Sequence, residues 1–108
     1  MPRWTGTAMS DLVFREGFWV RDDNAEQDLV VVRDIVRDDA YCTALLSPDA
    51  FNVVVDIGAH IGTFSALWHA KNPRAVIACV EACPDNLPAL HKNVGQFATI
   101  IHAACTYL

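Results

Sequence analysis

"VVVDIGAHIGTFSALWHA", residues 53–70, is the stretch whose reading decides the fold. Three valines run into an acid, Asp56, and glycines follow at 58 and 62. A continuous apolar run that stops at an acid and a glycine turn reads as a central parallel strand, covered on both faces. The residues after Gly62 read as a helix, through Lys71. Glycine has no Cβ, so Gly58 lets the backbone turn sharply and come close to a ligand. Gly62 starts the helix beside that ligand, where unpaired backbone N–H groups favour polar or negative groups.

Outward from this stretch the same pattern repeats. "NPR" (72–74) is a turn, and "AVIACVE" (75–81) is a second buried strand that again ends in an acid, Glu81. "CPDNLPALHKNV" (83–94) reads as a helix; Pro84 suits its first turn, and Pro88 must fall in that turn or kink the helix. "ATIIHAAC" (98–105) is a third strand. The β-α-β-α-β order predicts a parallel sheet with right-handed crossovers.

Upstream, the first dozen residues read as loose. "DLVFREGFWVRDD" (11–23) alternates around Gly17 as a hairpin does. Val30, Val31 and Val32 favour a strand, but Leu29, Val32, Ile35 and Val36 fall at helical spacing with acids near the start. The expectation is a helix from about Ala25 to Arg37. The acids between 22 and 28 read as a solvated face and helix start, and "SPD" (47–49) as a turn. The division expected is an extension of hairpin and helix over 1–50, then the first half of a ligand-binding domain over 51–108.

Bulk properties exclude several classes. The 108 residues allow one domain, and a hydrophobic content of 53% is enough for a core. The net charge of −5, with no Lys/Arg block, argues against nucleic acid as a partner. No apolar run is long enough for a membrane span, and the N-terminus lacks the apolar region of a signal peptide. Cys42, Cys79, Cys83 and Cys105 have no CxxC spacing and read as reduced, mostly buried thiols, which suits a cytoplasmic protein. A metal site from Cys79, Cys83 and a histidine is disfavoured, so no metal is expected.

In parallel sheets, ligands bind outside the carboxyl ends of the strands. Asp56 and Glu81 both stand there, one strand-helix-strand step apart. An acid at the second strand tip is a partner for the two hydroxyls of an adenosine ribose. A dinucleotide site wants GxGxxG to admit its pyrophosphate. Here the spacing is GxxxG, with an acid two residues ahead that would repel phosphate and suits a cationic amino group.

The pattern D-x-G-x-x-x-G, followed by an acid at the second strand tip, resembles the Rossmann-like S-adenosylmethionine methyltransferases. Within them, "VVVDIGAHIGTFS", "VEACPDNLPALHKNV" and "ATIIHAAC" look like the FkbM type, and "AEQDLVVVRDIVRDDAY" is similar to the segment that precedes the core there. The resemblance covers roughly residues 20–105. It implies an α/β fold: the N-terminal part of a class I methyltransferase sheet, three parallel strands with crossover helices, preceded by a short hairpin and helix. It implies S-adenosylmethionine as cofactor, held by Asp56, Gly58, Ala59, His60, Gly62, Glu81 and Ala82. His60 stands where the FkbM type usually has Asn, and Ala82 where the usual residue is Pro. The family domain is longer, so the chain corresponds to its cofactor-binding half, expected to transfer no methyl by itself. No catalytic residue is identified.

The implied reaction is methyl transfer to oxygen by in-line attack on the sulfonium methyl, with a small-molecule or sugar hydroxyl as acceptor. A non-catalytic interaction half-domain and a nicotinamide-dependent dehydrogenase are the alternatives. Tyr41 is placed either to close over the methionine end of the ligand or to pack. His69, His91 and His102 read as helix-surface or strand residues, and Trp68, Phe64 and Leu67 as packing. In the family's strand order the Val53–Asp56 strand is central, so its unpaired side in this chain predicts self-association through an exposed edge.

Overall fold

The computed structural model describes residues 11–106; most of the loose N-terminal stretch expected from the sequence lies outside the described residues. Strands β1 (Leu12–Arg15) and β2 (Phe18–Arg21) pair antiparallel. Glu16 and Gly17 between them have φ 51° and 87°. Positive φ at both central residues is the two-residue turn whose twist matches a hairpin. A short 3-10 turn over Asp22–Asn24 leads into helix α1 (Ala25–Val32). The helix expected as far as Arg37 is α-helical only to Val32. It then widens into one π turn over Arg33–Arg37, closed by a 2.9 Å bond from the Asp38 N–H to the Arg33 carbonyl.

The second sheet contains β3 (Val53–Ile57), β4 (Val76–Glu81) and β5 (Ala98–His102), parallel and in that order. Helix α2 (Thr63–Lys71) joins the first pair, and α3 (Leu87–Val94) the second. Pro84 begins a 3-10 turn, and Pro88 falls in the first turn of α3, where its missing N–H costs nothing. The protein is thus α/β, with a three-stranded parallel sheet, flanking helices and a small hairpin, consistent with a Rossmann-like fold.

Coverage of the sheet departs from the sequence expectation. Val54, Ile77, Cys79, Ala98 and Ile100 point to one face and pack with Trp68, Leu87, Leu90 and Val94 of the two helices. Trp68 is 1% exposed, and its indole N–H donates to the Phe51 carbonyl at 3.1 Å. The opposite face is bare among the described residues: Val53, Val55 and Ile57 are 70%, 58% and 59% exposed, and Val76 and Ile101 lie open beside them. The reason is topological. Two successive right-handed crossovers that step across the sheet in the same direction lay both helices on the same side.

The N-terminal hairpin and α1 do not stand apart. Val20, Ala25, Leu29 and Val32 share a core with Ile61 of the glycine loop and Ala89 of α3. Asn93 of α3 completes the join. Its Oδ1 accepts from the Trp19 N–H at 2.8 Å, and its Nδ2 donates to the carbonyls of Trp19 and Ile61 at 2.9 and 2.8 Å. The side-chain amide therefore pairs with β2 as a neighbouring strand residue would. Of the four cysteines, all free, only Cys79 is buried; Cys42, Cys83 and Cys105 are exposed, against the expectation of mostly buried thiols. These three sit in turns or past a strand end, where no apolar layer reaches them. No helix among the described residues is long and apolar enough to cross a membrane.

Two outcomes are expected. A Cβ on Gly62, whose φ is 92°, would lie 2.7 Å from Val94 Cγ1 and 3.0 Å from Leu90 Cδ1. Gly62→Ala should therefore cost about 2–4 kcal/mol, combining left-handed strain with overpacking. Adding Val94→Ala should not restore full stability, because the backbone strain stays; chemical denaturation measures both. Separately, the bare face carries no charge and adjoins the free edge of β3, so the 108-residue chain should self-associate. Val53→Lys with Val76→Glu, which face each other in register, should shift it toward monomer; a monomeric wild type in light scattering would overturn this.

Candidate functional site

The carboxyl ends of β3 and β4 are tied together by the loop between β3 and α2. The N–H groups of Gly58 and Ala59 both donate to the Val80 carbonyl, at 2.8 and 3.1 Å, and the Gly62 N–H donates to the Ala59 carbonyl at 2.9 Å. Three residues of the loop are left-handed: Gly58 at φ 75°, His60 at 58° and Gly62 at 92°. His and Asn tolerate this region better than most residues, which explains a side chain at position 60. The two glycines differ in duty. A Cβ on Gly58 would meet nothing within 4 Å, so this glycine faces open space, whereas Gly62 is required by packing against α3.

Glu81, at the tip of β4, is only 6% exposed. Its Oε1 accepts from the His60 N–H at 2.7 Å, and its Oε2 from the Cys83 N–H at 2.9 Å and Asn86 Nδ2 at 3.0 Å. A carboxylate offers about four acceptor positions, so three are already filled. The acid clasps both loops that flank it. To accept two ligand hydroxyls it must release one of these internal donors.

Asp56 is half-buried. Ser65 of α2 donates to its Oδ2 at 2.7 Å, and the Cys79 sulfur lies 3.2 Å from the Ser65 hydroxyl. Since Ser65 spends its single proton on Asp56, the Cys79 thiol is the donor to Ser65. Burial pushes the Asp56 carboxyl above its ordinary value; the Ser65 hydrogen bond opposes this and the nearby Glu81 charge adds to it. Burial likewise raises the Cys79 thiol, which keeps it protonated and unreactive. Asp56 also lines an open groove of about 340 Å³ with Tyr41, Val55, Ile57 and Phe64. Tyr41 stands edge-on to Phe64, ring centroids 5.3 Å apart.

The structure brings Asp56, Gly58, Ala59, His60, Gly62 and Glu81 to one end of the sheet. Ala59 is buried beneath the loop. Ala82 is exposed just past β4, its carbonyl accepting from His102 Nε2 at 3.1 Å. His69 stacks flat on Phe97 at 3.7 Å, outside this group. What the sequence did not disclose is Asp28. Read as part of a solvated acidic face, it is fully buried. Arg21 grips it through Nη2 at 2.6 Å, Nε at 3.2 Å and its backbone N–H at 2.9 Å, and Asn24 Nδ2 adds 3.1 Å. Burial would raise the Asp28 carboxyl, but the hydrogen bonds from Arg21 outweigh it and hold it below its ordinary value. Its position one helical turn below Asn24, facing Leu29 and Val32 inward, was the available signal.

No protein-family model matches the chain. The AMB antimetabolite synthetase AmbE of Pseudomonas aeruginosa is similar to it, with 34% identity over 77 residues. That stretch takes in 69% of this chain and 4% of the synthetase, so the chain spans a small fraction of this relative's length. Among solved structures, a Pyrococcus horikoshii protein named provisionally as a transferase superposes with a TM-score of 0.49 at 14% identity, covering 92% of this chain and 38% of that one.

The raised Asp56 carboxyl gives a stability prediction with a definite sign. The folded state holds this proton more tightly than the unfolded state. Stability contributed by the site is therefore complete below the ordinary value of 3.8 and falls as pH rises from there through the raised value. Asp56→Asn keeps an acceptor for Ser65 and removes the titration. Its stability relative to wild type should grow as pH rises through that window. Denaturant unfolding across the acid range checks this, and a difference independent of pH would overturn it.

Proposed function

We propose that the chain is the cofactor-binding half of an S-adenosylmethionine-dependent methyltransferase acting on a hydroxyl of a small molecule or sugar. The observation that carries this reading is the pair of acids at adjacent strand tips with a glycine loop between them whose first glycine faces open space. Glu81 would take ribose hydroxyls by exchanging an internal donor. Asp56 would face the ammonium and sulfonium end, where the groove beside Tyr41 and Phe64 offers a carboxylate to a cation. The similarity to a short part of a long synthetase agrees with a ligand-binding segment inside a larger biosynthetic protein. When bound, the cofactor supplies the electrophilic methyl; the residues of this chain bind and orient it.

A second reading, a half-domain kept for assembly without catalysis, is favoured by the same Glu81 contacts, since a clasp between two loops is by itself a sufficient role for a buried acid.

Calorimetric titration with S-adenosylhomocysteine separates the two. Glu81→Gln should weaken binding by about 1–3 kcal/mol, the scale for hydrogen bonds to a charged group. Gly58→Asn tolerates the left-handed backbone and projects into the space the ligand needs, so it should abolish binding with little change in thermal stability. Binding of NAD tighter than S-adenosylhomocysteine, or Gly58→Asn binding as wild type does, would overturn the methyltransferase reading.

A further inference from the structure

The glycine loop touches a second system, and the contact passes through one side chain. His60 donates its backbone N–H to Glu81, while its ring Nε2 lies 3.3 Å from Asp28 Oδ1. Arg21 Nη2 is 3.5 Å from the same nitrogen. Asp28 belongs to α1 and Arg21 to β2, so His60 stands between the loop and the N-terminal layer. Ring Nδ1 is buried with no hydrogen-bond partner among the described residues.

The two contacts at Nε2 ask for opposite tautomers: Arg21 Nη2 can only donate, to a bare Nε2, and the Asp28 carboxylate can only accept, from a protonated one. In either form Nδ1 has no partner among the described residues, so a ring carrying both protons would bury an unsatisfied N–H. The charged groups that face the ring are Asp28 from α1, Arg21 from β2 and Glu81 from β4. Burial lowers its proton affinity; Asp28 and Glu81 oppose this, Arg21 adds to it, and the net direction is downward from 6.5.

We propose that His60 is a positioning residue that couples the glycine loop to the buried Arg21–Asp28 pair, so that the N-terminal hairpin and helix set the conformation of the ligand loop. Glu81 restrains the loop from the sheet side through the backbone of residue 60, and Asp28 restrains it from the other side through the ring. A left-handed residue held at both ends is kept in a conformation that few non-glycine residues adopt. The part of this inference that concerns ligand affinity rests on the proposed cofactor reading; the coupling itself does not.

Hydrogen exchange at the amides of Gly58, Ala59, His60 and Gly62, all of which donate within the protein, reports loop opening without any ligand. His60→Gly keeps the left-handed backbone and deletes the ring contact, and should speed exchange at these amides roughly tenfold, the factor for one hydrogen bond to a charged group. His60→Gln places an amide N–H where Nε2 lies and should restore most of the protection. In wild type the protection should be complete above pH 6.5 and decline as pH falls through the lowered value, because the folded loop requires the neutral ring. In His60→Gln that decline should vanish. Exchange in His60→Gly equal to wild type, or a pH profile shared by His60→Gln and wild type, would overturn the proposal. With S-adenosylhomocysteine as probe, His60→Gly should bind roughly tenfold more weakly than His60→Gln. If wild type binds no S-adenosylhomocysteine, the cofactor reading fails while the exchange result still decides the coupling.

Discussion

Every feature of the sheet depends on the handedness of the crossover. A strand that must return parallel to itself cannot do so through a tight turn, and a right-twisted strand feeding a right-handed helix packs back on one side only. Two such units in succession, stepping the same way, bring three strand tips to one end and two helices to one face. The gathered tips place Asp56 and Glu81 side by side. The gathered helices leave Val53, Val55 and Ile57 uncovered among the described residues. A site and an exposed apolar layer are thus two results of one rule of chain geometry.

Within that frame the acids have separate tasks. Glu81 spends its oxygens on backbone and amide donors and holds two loops together. Asp56 accepts from Ser65 and opens on a groove. One carboxylate is committed to shape, and burial works against the charge of the other. A carboxylate whose proton affinity is raised by burial and which faces a groove is a candidate functional group.

The sequence was most legible where the chain repeats a local pattern. Apolar runs ending in acids, Pro84 and Pro88 near a helix start, and Gly17 in a hairpin were read from neighbours a few residues apart, and those elements stand where expected. It was least legible where a residue's state depends on a partner set by the whole fold. "VVV" reads alike in a strand buried on both sides and in one buried on a single side, so the bare face was not visible. Asp28 carries the same letters as its solvated neighbours Asp22 and Asp23, and what distinguishes it is the turn over Asp22–Asn24, which sets Arg21, seven residues back, against it. The exposed cysteines sit in turns or past a strand end, where an apolar residue type does not by itself report burial.

Asn93 fixes β2 to the rest of the protein across 74 positions of chain. The hairpin closes through a two-residue turn, but its seat does not exist until α3 has formed and lies beside the glycine loop. Closing a loop of that length costs more entropy than any local step. Docking of the N-terminal layer is therefore a late event in folding, and during synthesis the hairpin leaves the ribosome well before its anchor. For that interval Ile61 and Ala89 are missing from their core, and Val20 and Leu29, buried in the finished protein, have only the residues of the hairpin and α1 to pack on.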